Sequence, residues 1–192
     1  FFTGSHAAWA RAYATYSSHT IRILSLPGNH WKWRMHGGAI SLARKFLAQK
    51  GRPDLILATD MLDVTTFLAL TRARSADIPV AIYFHENQLS YPRPCNDRDI
   101  IHKREPHYAF INYAPALAAD TLFFNSAYHK DTFIEELPSF LKQFPDYREL
   151  DTVETLEERD LVDMTIDPFQ DRLMIPRAQE HADAPARRQV TP

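Results

Sequence analysis

Three short apolar runs stop abruptly on polar side chains, and this recurrence constrains the fold more than any other feature of the chain. Val80-Ala81-Ile82-Tyr83-Phe84 ends on His85-Glu86-Asn87-Gln88. Leu122-Phe123-Phe124 ends on Asn125-Ser126, and Leu55-Ile56-Leu57-Ala58 ends on Thr59-Asp60. A β-branched and aromatic run of three to five residues, apolar at successive positions, reads as a parallel strand buried on both faces. Open α/β sheets bind ligands beyond the carboxyl ends of such strands. The three polar tips therefore mark one edge of one sheet as the candidate functional surface.

Helical periodicity fills the intervals. Ser5 can cap a helix to about His19, with Trp9, Tyr13 and Tyr16 as a buried stripe. The residues 21–26 read as a strand closed by Pro27-Gly28. A second helix is expected from about Gly38 to Gln49, ended by Gly51-Arg52-Pro53. Asp60 can cap a third helix, carrying Leu62, Phe67 and Leu70 to about Arg72. Residues 85–105 read as a long loop with Pro92 and Pro94. A helix over 108–118 is bent or bounded by Pro115, and another runs from Ser126 to about Glu136, before a separate apolar segment at 137–141. Strands alternating with helices predict an α/β, Rossmann-like, doubly wound parallel sheet. A helix opens the chain where a central strand is normally expected, so that first strand is expected to be missing. The domain is expected over residues 1–150. Residues 151–192 are expected to hold an acidic helical stretch (Glu154, Glu157, Glu158, Asp160, Asp163) and a disordered tail from about Ala178.

Charge is unevenly distributed. Residues 1–53 carry eight Lys and Arg and no Asp or Glu, whereas residues 106–192 carry sixteen acids against eight basic residues. A basic lobe on a chain of net charge −2 is compatible with a polyanionic partner or with an ordinary solvated surface. Within that lobe, His30-Trp31-Lys32-Trp33-Arg34-Met35-His36 interleaves aromatic and cationic side chains in what reads as a loop. Such a mixture suits stacking on bases and pairing with phosphates through Lys32 and Arg34.

Several chemistries are disfavoured. Five glycines leave no Gly-rich phosphate cradle. His30, His36, His85, His102, His107 and His129 show no HExxH, HxH or CxxC spacing, so no metal site is expected. There is no GxSxG elbow, and the one cysteine, Cys95, lies in a Pro-flanked loop. No apolar run is long enough to span a bilayer, and a lone cysteine fits a cytoplasmic setting. What remains is His85 with Glu86 as a candidate acid/base pair, and Asn87, Gln88, Asn125 and Ser126 as neutral hydrogen-bonding groups suited to hydroxyl-rich ligands. Gly4-Ser5-His6 forms a helix start whose free N–H groups can meet an anion or a sugar hydroxyl.

Five segments in order then carry a resemblance: Phe1-Phe2-Thr3-Gly4-Ser5-His6, Leu26-Pro27-Gly28-Asn29-His30-Trp31-Lys32-Trp33-Arg34-Met35, Ala58-Thr59-Asp60-Met61-Leu62-Asp63, Tyr83-Phe84-His85-Glu86-Asn87-Gln88-Leu89-Ser90-Tyr91-Pro92, and Phe124-Asn125-Ser126-Ala127-Tyr128-His129. Together they resemble the amino-terminal domain of the tRNA-queuosine α-mannosyltransferase family, over residues 1 to about 153. The resemblance implies a retaining glycosyltransferase of GT-B architecture, with GDP-mannose as donor, queuosine in tRNA as acceptor, and no resident cofactor. It also implies that Gly4, Ser5 and His6 line the interdomain cleft and that His85 sits near the transferred sugar. Glu86, Asn87, Gln88, Asn125 and Ser126 then orient hydroxyls or support the loop. No donor-binding half is expected in this chain, so it is expected to be inactive alone. The alternatives are an RNA- or nucleotide-binding module without catalysis, and a stand-alone hydrolase using His85 and Glu86.

Overall fold

A computed structural model of the chain describes residues 2–92, 97, 106–145, 153, 155–156 and 160–163, the last as backbone only. At its centre is a four-stranded parallel sheet in the order β1-β2-β3-β4, comprising β1 (Ile56–Thr59), β2 (Val80–Phe84), β3 (Thr121–Phe124) and β4 (Asp160–Asp163). Around it lie α1 (Gly4–Tyr16), α2 (Trp31–Leu47), α3 (Val64–Ser75), α4 (Pro106–Ala118) and α5 (Ala127–Leu141). This is the Rossmann-like α/β architecture expected.

The strand residues alternate between two apolar layers, as a pleat of period two requires. Val80, Ile82 and Phe84 of β2, with Leu122 and Phe124 of β3, pack against Val64, Tyr113, Phe133, Leu137 and Phe140 of α3, α4 and α5. Ala81, Tyr83 and Phe123 face the other way, onto Trp9 of α1. All five residues of β2 are buried, which explains its uninterrupted apolar run. A third cluster, Ala39, Ala43, Phe46, Phe67 and Ile78, fastens α2 to α3. Because α3, α4 and α5 share one apolar layer, consecutive right-handed crossovers on a single face lay the strands down in sequence order.

Several expectations are corrected. Residues 21–26 pair with no strand among the described residues: the Leu26 carbonyl accepts from the Phe2 N–H at 2.9 Å, and Leu24 packs on the α2–α3 cluster. Leu24 of this segment serves contact with the helices rather than a ladder. The Trp-rich segment is not a loop, since α2 begins at Trp31 behind His30, whose φ of 56° lets the chain turn into the helix. Asp60 does not cap α3. Asp63 does, accepting from the Thr66 N–H. Pro115 lies inside α4, and Pro138 lies inside α5, which therefore runs on through the segment expected to be separate. Tyr16 is 70% exposed and leaves the stripe to Trp9 and Tyr13, while Leu70 is also exposed. Past residue 150, Asp160 and Asp163 sit on β4, paired with Thr121 and Phe124, where a helical stretch was expected. Cys95, His102 and the tail from 164 lie outside the described residues.

Candidate functional site

The carboxyl ends of β1, β2 and β3 lie side by side, since Thr59 pairs with Tyr83 and Phe84 with Phe124. Each strand therefore delivers its next residues, Asp60, His85 and Asn125, to the same edge. Hydrogen bonds tie the three together across the strands. The His85 N–H donates to Asp60 Oδ1 at 3.0 Å, and Asn125 Nδ2 donates to the His85 carbonyl at 2.7 Å. The main chain of His85 is thus held from both neighbouring strands.

Side chains then converge above that backbone. Asp60 is buried, and its Oδ1 lies 3.4 Å from His85 Nδ1 and 3.7 Å from His6 Nε2. The rings of His6 and His85 stack with centroids 4.1 Å apart, and Trp9 meets His85 edge-on at 5.1 Å. Trp9 in turn stacks on Tyr83 at 4.4 Å. The positive φ of Gly4, +52°, allows α1 to start where it does and brings His6 in its first turn over the sheet edge. Burial pushes the Asp60 carboxyl up, but the His6 and His85 imidazoles beside it outweigh that, and its pKa is lowered. Burial raises the Tyr83 hydroxyl pKa, and the Asp60 charge raises it further. The carboxylate set beside the His85 imidazole is therefore Asp60, which is ionised and shared by two imidazoles.

The other polar residues expected at this edge divide into two groups. Asn87 is buried, and its Oδ1 accepts from the Leu89 N–H, the Ser90 N–H and the Ser90 hydroxyl. It builds the turn after His85. Glu86 Oε1 accepts from Gln88 Nε2 at 3.3 Å, within the same turn. The Gln88 N–H donates to Asn112 Oδ1 at 2.6 Å, and Asn112 Nδ2 donates to the Asp60 carbonyl at 2.7 Å. Asn112, buried on α4, therefore clamps the β1 tip to the turn after β2. Asn125 remains exposed, and its Oδ1 meets His129 Nδ1 at 2.9 Å. Ser126 caps α5 by accepting from the His129 N–H, and its hydroxyl donates to Asn125. His129 is buried, which lowers its pKa below the usual imidazole range.

Lys32 and Arg34 stand elsewhere, in the first turns of α2. Lys32 pairs with Asp97 at 2.6 Å and Arg34 reaches Asn29 at 3.1 Å, while Trp33 beside them is 80% exposed. Ser5 is exposed on α1. Thus His6 and His85 are brought together, Asn125 and Ser126 adjoin them, Glu86, Asn87 and Gln88 form the supporting turn, and Lys32 and Arg34 occupy a separate helix. Sequence reasoning placed Asp60 on the polar edge but gave it only a capping role, and it missed Asn112. An acid directly after an apolar strand run was the available signal for Asp60. Asn112 gave none beyond being a lone amide in an apolar helix.

Residues 1–163 match the model of a family described as tRNA-queuosine alpha-mannosyltransferase N-terminal. The chain belongs to this family. It is also 30% identical, over 161 residues, to a curated tRNA-queuosine alpha-mannosyltransferase of Drosophila melanogaster. That alignment takes in 83% of the chain and 41% of the relative, so the chain spans about two fifths of the length of the mannosyltransferase it matches. No solved structure matches significantly. The family match runs on from α1 to the end of β4, and so includes every element that builds the polar edge.

Proposed function

We propose that this chain is the acceptor-side domain of a GT-B glycosyltransferase that transfers mannose from GDP-mannose to queuosine in tRNA, and that it does not transfer alone. The observation that carries the reading is the family match across the whole polar edge, combined with a relative named for that reaction. In this reading His85, fixed at main-chain N and O and flanked by an ionised carboxylate, presents a rigid hydrogen-bonding group to the sugar. His6 and the first turn of α1 form the adjoining wall. Asn125 offers its exposed amide to ligand hydroxyls, while Asn87 and Gln88 keep the turn in place. The basic α2, with Trp33 exposed beside Arg34, supports contact with the tRNA backbone in the cytoplasm.

The test joins this chain to the carboxyl-terminal remainder of the fruit-fly relative and supplies labelled GDP-mannose and tRNA. Label is expected to enter queuosine-containing tRNA with the chimera but not with the chain alone, and His85→Ala in the chimera is expected to lower kcat at least a hundredfold. Equal labelling of tRNA lacking queuosine, or failure of a folded chimera built on the active fly enzyme, overturns the reading.

A further inference from the structure

One glycine of α2 has no packing reason among the described residues. Gly38 admits Leu26, whose Cδ1 would lie 3.3 Å from an added Cβ, whereas a Cβ on the preceding Gly37 would meet nothing within 4 Å. Gly37 lies in the interior of a 17-residue helix, on its exposed side, where glycine costs stability relative to alanine. A helical side chain leans back over the residue four places before it. Any longer side chain at 37 would therefore lie over Trp33, and the glycine leaves that indole uncovered. Trp33 is itself the exception among the three tryptophans of the chain. Trp9 stacks on Tyr83 and Trp31 meets Tyr108, whereas Trp33 is 80% exposed and touches no other ring among the described residues.

We propose that the outer face of α2 binds a single-stranded loop of RNA, with one unpaired base stacked on Trp33 in the space left by Gly37 and the adjoining phosphates held by Arg34, Arg44 and Lys45. The inference rests on the tRNA reading for the identity of the RNA, and adds to it the surface and the structural state that is recognised. At about 100° per residue, Trp33, Gly37, Ile40 and Arg44 fall within an arc of about 60°. All four are exposed, and they turn away from the buried Met35, Ala39 and Phe46 of the same helix. From Trp33 to Arg44 the helix rises about 16 Å, a length that spans a few phosphates of a single strand.

Charge around this face selects a polyanion. Residues 1–53, which include all of α2, hold no Asp or Glu. Arg34 donates to the Asn29 amide at 3.1 Å and Lys45 to the Ser25 carbonyl at 2.7 Å, contacts that hold both side chains without neutralising them. Arg22 does the same at the Lys50 carbonyl, just past the end of the helix. The open indole selects the unpaired state. Bases within a duplex already stack on one another, whereas loop bases can be splayed onto an aromatic side chain, and every base has a π-face to offer. Ile40 extends the apolar floor by the next turn, where a ribose or a second base can rest.

The experiment titrates this chain, at low salt and by fluorescence anisotropy, into two labelled RNAs of equal length: a hairpin with an unpaired loop and a blunt duplex. The hairpin is expected to bind about tenfold more tightly or better. Trp33→Ala and Gly37→Leu are each expected to weaken hairpin binding by about fivefold or more, as loss of one stacked base requires, and Trp33→Phe to retain most of it. Gly37→Leu is expected to act at a melting temperature no lower than that of the parent chain, which a glycine needed for the fold would not allow. Equal affinity for the two RNAs, no binding of the hairpin, hairpin binding unchanged by both substitutions, or a lower melting temperature in Gly37→Leu overturns the proposal. So does a concentration-dependent dimer abolished by Trp33→Ala, which assigns the face to a second copy of the chain. None of these outcomes measures mannose transfer, so failure here leaves the family reading standing, and a chimera that fails to transfer leaves hairpin binding to be judged on its own.

Discussion

Replacing Asn112 by leucine isolates the clamp between the β1 tip and the turn that carries His85. The side chain is 1% exposed and makes two bonds, accepting from the Gln88 N–H at 2.6 Å and donating to the Asp60 carbonyl at 2.7 Å. Leucine matches the volume closely, so the change deletes polar contacts without opening a cavity. Withdrawing one partner from a buried backbone group costs about 1–3 kcal/mol, or about 2–6 kcal/mol for both. The added apolar surface offsets about 1 kcal/mol, leaving a net loss of about 1–5 kcal/mol. With a urea slope of about 2 kcal/mol/M, the unfolding midpoint falls by about 0.5–2.5 M. Equilibrium urea unfolding followed by far-UV dichroism measures this, with Tyr128→Ser as the control, since Tyr128 is 79% exposed. A midpoint shift below about 0.3 M at unchanged slope refutes the clamp, because such a shift is typical of a surface substitution.

Two further outcomes follow from burial and close packing. His129 has its pKa lowered mainly by burial, so the unfolded chain binds its proton first as the solution is acidified. Its contribution to stability is complete above about pH 6.5 and is lost as pH falls through the depressed folded value. His129→Gln should therefore flatten the dependence of urea midpoint on pH as the pH falls below about 6.5, and an unchanged slope contradicts this. The lowered pKa of Asp60 acts in the same direction but only below about pH 4, so the two windows separate. At Gly28, an added Cβ would lie 2.4 Å from Thr3 Cγ2 and 2.6 Å from Thr3 Cβ, at the N-cap of α1. Gly28→Ala should cost about 1–3 kcal/mol and lower the melting temperature by several degrees. Thr3→Gly in the same chain should restore most of the loss, and no restoration places the fault elsewhere.

The strands of the interior were legible because burial on both faces leaves an unmistakable mark. Val80 to Phe84 and Thr121 to Phe124 are apolar or nearly so at every position, and each ends where its polar tip begins. Strand β4 was not legible, since Asp160-Leu161-Val162-Asp163 lies among acids and owes its state to pairing with β3. The segment 21–26 shows the converse, having strand-like residues but no strand partner among the described residues. Trp31 to His36 misled because two tryptophans among cations suggest an exposed loop, whereas Met35 is fully buried and Trp31 packs beside Met35 and Tyr108 in a helical turn. His6 and His85 were identified as candidates, but the carboxylate joining them was read as a cap. Two acids, Asp60 and Asp63, stood before the same helix, and only tertiary packing decides which one turns inward.

The sequential order of the strands has a consequence for synthesis on the ribosome. Each newly emerging strand docks against the one made just before it, so no gap must be held open for a later arrival. Asp60, His85 and Asn125 come into position in that same succession, and the grip on the His85 backbone is complete once residue 125 has cleared the exit tunnel. The polar rim thus matures strand by strand during elongation.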